Sequence, residues 1–121
     1  MRILIADDNR ELRAALRLLL QELGVHAITE AEDLAEAIAT MRHARADVVL
    51  LDWELPPGGF PGDGAAFVAS VKTAAPARRV IAMSGRPEAE NESLTAGCDA
   101  FVSRNEPPDR LVRLLGGDAL S

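Results

Sequence analysis

Short apolar runs alternate with segments of helical periodicity along the whole chain. Runs without polar alternation are typical of strands buried on both sides, and apolar residues at three- and four-residue steps indicate amphipathic helices. The predicted strands span residues 2–6, 25–29, 47–51, 79–83 and 100–103. The predicted helices span residues 9–23, 65–74, 88–96 and 109–115, with one more that Asp33 caps and that includes Met41. This alternation predicts a parallel sheet with helices on both faces.

Three segments carry more specific expectations. The helix over residues 88–96 has few apolar anchors, with Leu94 chief among them. Gly116-Gly117 predicts the end of a short last helix. The Pro/Gly-rich segment 56–64 predicts a long loop. Phe60 in this loop either docks on a partner or folds back as a local anchor.

Composition narrows the class of protein. The chain of 121 residues fits one domain, which we expect to span residues 1–121. A net charge of −6 argues against direct binding to nucleic acid. No apolar run approaches the roughly 20 residues that cross a bilayer, and residues 1–5 lack the features of a secretory signal. The single Cys98 fits a small buried site better than a redox thiol, so we expect a cytoplasmic protein without membrane contact.

Polar side chains follow four of the predicted strands. Asp7 and Asp8 follow the first strand, Asp52 the third, Ser84 the fourth and Arg104 the fifth. Because ligands of such sheets bind beyond the carboxyl ends of the strands, these side chains are expected to meet. Three converging carboxylates repel one another, and a divalent cation removes that repulsion. Ligands that are all oxygen suit a hard ion, Mg²⁺ in particular.

These residues, in this order, resemble the receiver domain of two-component response regulators. The resemblance covers nearly the whole chain and is greatest to receivers that precede helix-turn-helix output domains. It implies the flavodoxin-like (CheY-like) fold, a doubly wound five-stranded parallel sheet of order 2-1-3-4-5 in a three-layer α/β/α arrangement. The residues that carry it are Asp7-Asp8, Asp52 with Leu55-Pro56, Ser84-Gly85, and the segment 97–104.

The resemblance implies a metal-assisted phosphoacceptor site. Asp52 would be the phosphoacceptor, taking a phosphoryl group from a phosphohistidine or a small phosphodonor. Asp7, Asp8 and Asp52 would hold Mg²⁺, with the backbone carbonyl of Glu54 as a further ligand. A simpler interpretation of Asp8 is a helix cap, with Glu11 three residues later.

The resemblance also implies a switch. Ser84 and Arg104 would each bind a phosphoryl oxygen, and Ser84 would move toward the phosphoryl group. Phe101 would then turn inward and change the face made by the fourth helix, fifth strand and fifth helix. Simpler interpretations remain open: a turn residue for Ser84, a surface charge for Arg104 and a core residue for Phe101.

The implied partners are proteins. A sensor histidine kinase or a phosphotransfer protein would supply the phosphoryl group. The receiver would act on a downstream output protein or on a DNA-binding output domain outside this sequence. The switching face is also an option for a homodimer contact.

Two departures from the family's pattern concern residues at the site. Arg104 stands where the family usually has Lys. Because a planar guanidinium differs from a compact ammonium, we expect slower or altered phosphotransfer. Glu54 replaces a smaller residue, so we expect it to modulate the site. It should reach toward Arg104 in the unphosphorylated state and slow the attack of water on the acyl phosphate.

The sequence can also be compared with other classes of protein. The main alternative is an atypical receiver that binds proteins without phosphorylation. A phosphatase of the haloacid dehalogenase type is disfavoured because Glu54, not Asp, lies two residues after Asp52. A flavodoxin is disfavoured because no Ser/Thr/Gly-rich loop follows the first strand. We therefore expect no enzyme activity beyond self-catalysed phosphotransfer and dephosphorylation.

Overall fold

The computed structural model describes the backbone of residues 1–119 and the side chains of residues 1–116. Five strands alternate with five helices over this part of the chain. The strands are β1 (Arg2–Ala6), β2 (Ala27–Ala31), β3 (Val48–Asp52), β4 (Arg79–Ser84) and β5 (Ala100–Ser103). The helices are α1 (Arg10–Glu22), α2 (Leu34–His43), α3 (Gly64–Ala74), α4 (Glu88–Thr95) and α5 (Asp109–Ala119). None of the helices described has the length and apolar character that crossing a membrane requires.

All five strands are parallel and lie in the order β2-β1-β3-β4-β5, which confirms the predicted fold class. The strands end nearly level with one another. Ala6 pairs with Leu51, Asp52 with Met83, and Ser84 with Ser103. The residues that follow β1, β3, β4 and β5 therefore lie along one edge of the sheet.

Two apolar clusters cover the two faces of the sheet. On one face, Leu51 packs with Phe67 of α3 and residues of α2 and α4. On the other, Ile5 packs with Leu20 of α1 and Leu115 of α5. Successive strand residues point to opposite faces, and every residue of β3 is buried because both faces are covered. The result is the three-layer arrangement that the resemblance implied.

Short polar side chains begin three of the helices. Asn9 accepts a hydrogen bond from the Leu12 N–H (3.1 Å), Asp33 from the Glu36 N–H (2.7 Å) and Asp63 from an N–H of the first turn of α3 (3.0 Å). Each bond satisfies a donor that the helix itself leaves unpaired. The cap predicted at Asp33 is confirmed.

The β3–α3 loop is anchored on both its flanks. The Phe60 ring packs edge-on against Phe67 with 6.1 Å between ring centroids, so Phe60 is a local anchor rather than a free docking residue. The carbonyl oxygens of Pro56 and Pro57 accept hydrogen bonds from the first N–H groups of α2 at 2.9 and 3.1 Å. The loop thus completes the N-terminus of α2.

Two elements, β2 and α5, differ from the predictions by two residues or more. β2 begins two residues late, because the Val25 N–H bonds to the Leu20 carbonyl (2.9 Å) and closes the turn after α1. α5 continues past Gly116-Gly117 to Ala119, since glycine weakens a helix without forbidding it.

The helix α4 is held by small residues rather than by its one large apolar side chain. Leu94 is 43% exposed, so the prediction that it anchors the helix is wrong. Ala89 and Ser93 are buried instead. They lie four residues apart on one face, whereas Leu94 lies roughly 140° around the helix from Ala89.

Candidate functional site

Three carboxylates meet beyond the ends of β1 and β3. Asp7 and Asp8 follow β1 directly, and Asp52 is the last residue of β3. One oxygen from each lies within 4.8 Å of the others. Asp7 and Asp52 are buried, whereas Asp8 is exposed. The structure therefore brings together the three acidic residues that the sequence singled out.

Burial makes two of these carboxylates hard to ionise. It raises the pKa of Asp52 to about 6, although Arg104 and a hydrogen bond from the Glu54 N–H (3.0 Å) oppose the rise. Burial likewise raises the pKa of Asp7, against a hydrogen bond from the Asn9 N–H (2.8 Å). A buried acidic pair of this kind is stabilised by any cation that enters the cluster.

Arg104 supplies one such cation. It follows β5 directly, and its backbone N–H bonds to the Ser84 carbonyl at 2.9 Å. Its guanidinium Nη2 donates to the Asp7 carboxylate and lies 3.6 Å from Asp52 Oδ1. The simpler interpretation of Arg104 as a solvated surface charge does not describe this arrangement.

Ser84 ends β4 as a fully buried hydroxyl. It donates a hydrogen bond to Glu54 Oε1 at 2.6 Å, and Glu54 Oε2 accepts bonds from the Arg86 guanidinium at 3.0 and 3.2 Å. The expectation that Glu54 reaches toward Arg104 is therefore wrong. Glu54 pairs with Arg86, while the Arg104 guanidinium binds Asp7.

Phe101 lies on β5 and is already buried. It belongs to the apolar cluster that contains Phe67 and Ala89. The ring therefore does not have to turn inward from an exposed position in this state of the protein. Cys98 is also buried, as expected for a small core residue, and burial raises the pKa of its thiol to about 12.

One charged residue near the site escaped the sequence analysis. Arg13 of α1 is only 6% exposed. Its Nη1 donates to the Asp7 carbonyl oxygen at 2.6 Å, while Nε and Nη2 bind Glu30 (3.0 Å) and Glu32 (3.2 Å). The signal was available, because Arg13 lies three residues before the buried Leu16 and so falls on the inward face of α1.

A polar network at the other side of the site also escaped the sequence analysis. Arg86 Nη2 donates to Glu92 Oε1 of α4 at 2.9 Å, and the Trp53 indole N–H donates to the same oxygen at 3.1 Å. No short sequence motif links these residues, since they come from three separate segments.

Comparison with known proteins agrees with this geometry. The family model described as the response regulator receiver domain matches residues 3–115. The chain belongs to this family, a signalling domain of two-component systems.

Individual proteins show the same relationship. The chain is 30% identical over 115 residues to the phosphate regulon transcriptional regulatory protein PhoB of Klebsiella pneumoniae, covering 92% of this chain and 48% of that protein. It thus spans about half the length of that relative. The crystal structure of the receiver domain of NtrX from Brucella abortus superimposes with a TM-score of 0.81 at 26% identity, covering 95% of each chain.

A third comparison bears on the fold alone. The signal receiver domain of a DNA-binding response regulator from Colwellia psychrerythraea has a TM-score of 0.85 at 21% identity. It covers 100% of this chain and 99% of that one. The order of strands and helices described above is therefore that of solved receiver domains.

Proposed function

We propose that this receiver domain accepts a phosphoryl group on Asp52 in an Mg²⁺-dependent reaction. The observation that carries the proposal is the meeting of Asp7, Asp8 and Asp52 within 4.8 Å, beside the guanidinium of Arg104. A helix cap does not account for these carboxylates, because the residue that caps α1 is Asn9.

The donor set fits Mg²⁺. All three side chains offer oxygen, the ligand that this ion takes in proteins, usually as one or two carboxylates with waters and a phosphate oxygen. The buried carboxylates would gain most from a divalent charge. We propose the backbone carbonyl of Glu54 as a further ligand. When bound, the ion would neutralise charge on the phosphoryl oxygens.

Side chains of this protein would carry out the other steps of phosphoryl transfer. A carboxylate oxygen of Asp52 would attack phosphorus, forming an O–P bond as the P–N bond of a phosphohistidine breaks. Arg104 can hold a phosphoryl oxygen with its fork of N–H donors. Ser84 would donate to another phosphoryl oxygen after leaving Glu54. In the acyl phosphate, the Glu54 carboxylate would slow attack by water through charge and bulk.

The proposed partners follow from the class of domain. A sensor histidine kinase or a phosphotransfer protein would supply the phosphoryl group. The face made by α4, β5 and α5 would carry the signal to an output protein or domain, with Ser84 and Phe101 as switch residues. Because Phe101 is already buried, its change would be a rearrangement within its apolar cluster. A homodimer through the same face is part of this proposal.

The name of one relative indicates the process that this domain could serve. PhoB is named as a transcriptional regulatory protein, so we propose that this domain serves transcriptional regulation. We also propose that residues 1–121 form one receiver domain that acts in the cytoplasm.

Intact-mass spectrometry after incubation with acetyl phosphate and Mg²⁺ tests the proposal. The wild-type protein should gain one phosphate, and the gain should be lost in Asp52→Asn and in the presence of EDTA. Asp47→Asn is a matched control, because Asp47 lies outside the pocket and bonds to the Arg2 N–H. No uptake in the wild type would contradict the proposal and favour a receiver that binds partners without phosphorylation.

A further inference from the structure

A continuous chain of hydrogen bonds leads from the Ser84 hydroxyl to helix α4. Ser84 donates to Glu54 at 2.6 Å, Glu54 accepts two bonds from Arg86, and Arg86 donates to Glu92 at 2.9 Å. Both Arg86 bonds end on the single oxygen Oε2 of Glu54, while Oε1 accepts the Ser84 hydroxyl. The chain joins the loop after β3, the end of β4 and the middle of α4.

Trp53, which follows the proposed phosphoacceptor Asp52, adds a further hydrogen bond to this network. Its indole N–H donates to the same Glu92 oxygen that Arg86 binds, at 3.1 Å. Arg86 and the Trp53 N–H together hold the pKa of the Glu92 carboxyl below its ordinary value. Because Trp53 follows Asp52 directly, one side chain connects the chain segment at Asp52 with α4.

The network joins α4 to the loop after β3, and α4 buries few side chains of its own. Among the described residues of α4, only Ala89 and Ser93 are buried, and the residue at its N-cap, Pro87, makes no side-chain cap bond. Arg86 precedes the helix and also lies 3.7 Å from a Glu88 oxygen. Few apolar contacts and exposed polar ones mark an element of low local stability.

The Ser84 hydroxyl cannot serve two acceptors. A hydroxyl has one proton to donate, and Glu54 takes it in this structure. A phosphoryl oxygen is only an acceptor and requires the same proton. The phosphoryl group also adds about two negative charges, which repel the Glu54 carboxylate.

We propose that Glu54, Arg86 and Glu92 form a latch that holds α4 in its resting position, and that a phosphoryl group on Asp52 opens it by taking the Ser84 hydroxyl. The opening step rests on the proposed function, but the existence of the latch does not. The side chains of the latch are 42–47% exposed, so each ion pair is individually weak. A weak latch is one that a single modification can open.

Hydrogen exchange of the unphosphorylated protein tests the latch itself. Glu92→Gln removes the charge but keeps an acceptor for Trp53, and amide exchange in Glu88–Thr95 should rise about two- to fivefold. Glu90→Gln is the matched control, because it removes the same charge from the same helix outside the latch. Its ion pair with Arg110 is long (3.9 Å) and exposed, so this variant should raise the exchange much less. Equal effects of the two variants would overturn the proposal.

A double-mutant cycle tests whether the latch acts as one unit. Glu54→Ala alone should raise α4 exchange to about the level of Glu92→Gln, and the double variant should show no further rise. Effects that multiply would mean that Glu54 and Glu92 act separately, which would overturn the latch.

The opening step needs the phosphorylated protein. Acetyl phosphate and Mg²⁺ should bring wild-type α4 exchange to the level of unphosphorylated Glu92→Gln, and should change that variant little. Mass spectrometry of the same samples reports the phosphate on Asp52. Phosphorylated wild type with unchanged α4 exchange would overturn the opening step. Absence of phosphate would contradict the proposed function and the opening step together, while the exchange of the resting protein still decides whether the latch exists.

Discussion

Replacing Asp52 with Asn should stabilise the metal-free protein at neutral and alkaline pH. The Asp52 side chain is only 3% exposed, and burial is the main reason that its pKa rises from 3.8 to about 6. The folded protein therefore carries an ionised carboxylate at pH 8 that the unfolded chain ionises more easily. Asn keeps the shape of the side chain and removes the charge.

The expected gain follows from linkage between proton binding and folding. A difference of about two pKa units, at about 1.4 kcal/mol each, corresponds to about 3 kcal/mol. Because the folded pKa is the higher one, the folded state binds more protons between about pH 4 and pH 6. The contribution of Asp52 to stability is therefore complete below pH 4 and is lost as the pH rises through 6. The Asp52→Asn substitution removes this loss.

Urea unfolding followed by far-UV circular dichroism, with EDTA present, measures the effect. The free energy of unfolding of Asp52→Asn should exceed that of the wild type by about 3 kcal/mol at pH 8, or about 10 °C in Tm, and the gap should nearly vanish at pH 4. Asp8→Asn is the matched control, because Asp8 belongs to the same cluster but is exposed and should gain much less.

Two results would refute this reasoning. One is a variant that is no more stable than the wild type at pH 8. The other is a gap that does not change with pH. Saturating Mg²⁺ provides a further check, since it should stabilise the wild type more than Asp52→Asn and so narrow the gap.

Other substitutions test the loop, the buried arginine and the phosphoryl-binding cation. Gly58→Ala should cost about 1–3 kcal/mol in urea unfolding, because Gly58 has φ +57° and its Cβ would lie 2.1 Å from Asp33 Cγ; the cost should shrink in an Asp33→Ala background. Arg13→Met should cost about 2–3 kcal/mol, against a smaller loss for the more exposed Arg17→Met, and equal losses would contradict the role given to Arg13. Arg104→Lys should change the phosphorylation rate or the acyl phosphate lifetime, as followed by mass spectrometry; unchanged kinetics would mean that the guanidinium has no special effect.

The sequence was sufficient for the fold and for the acidic cluster. Buried strands such as Val48–Asp52 are continuous apolar runs, and the rule that parallel strands end at one edge places Asp7, Asp8 and Asp52 together. The predictions are wrong where tertiary contacts override the local pattern of apolar and polar residues. Val25 has the pattern of a strand residue but closes a turn, and Leu94 has the pattern of an anchor although the face of α4 it occupies points to solvent.

Side-chain partners were harder to predict than positions. The sequence predicts that Glu54 reaches toward Arg104, but the Arg104 guanidinium binds Asp7 instead. Arg86 is an ordinary exposed arginine in the sequence, and only the loop geometry brings it to Glu54 and Glu92. A long flexible side chain can pair with any of several partners within reach. Which partner it binds depends on distances in the folded protein rather than on spacing along the chain.

The two flanks of the acidic pocket are fastened by different kinds of bond. Toward α2, the carbonyls of Pro56 and Pro57 accept backbone N–H groups. Toward α4, half-exposed ion pairs of Arg86 make the connection. Ionic strength screens the second kind and hardly affects the first, since the Debye length falls to about 3 Å at 1 M salt. Salt should therefore weaken the contacts toward α4 and leave the contacts toward α2 nearly unchanged. The ionic strength of the solution would then shift the resting position of α4 in the unphosphorylated protein.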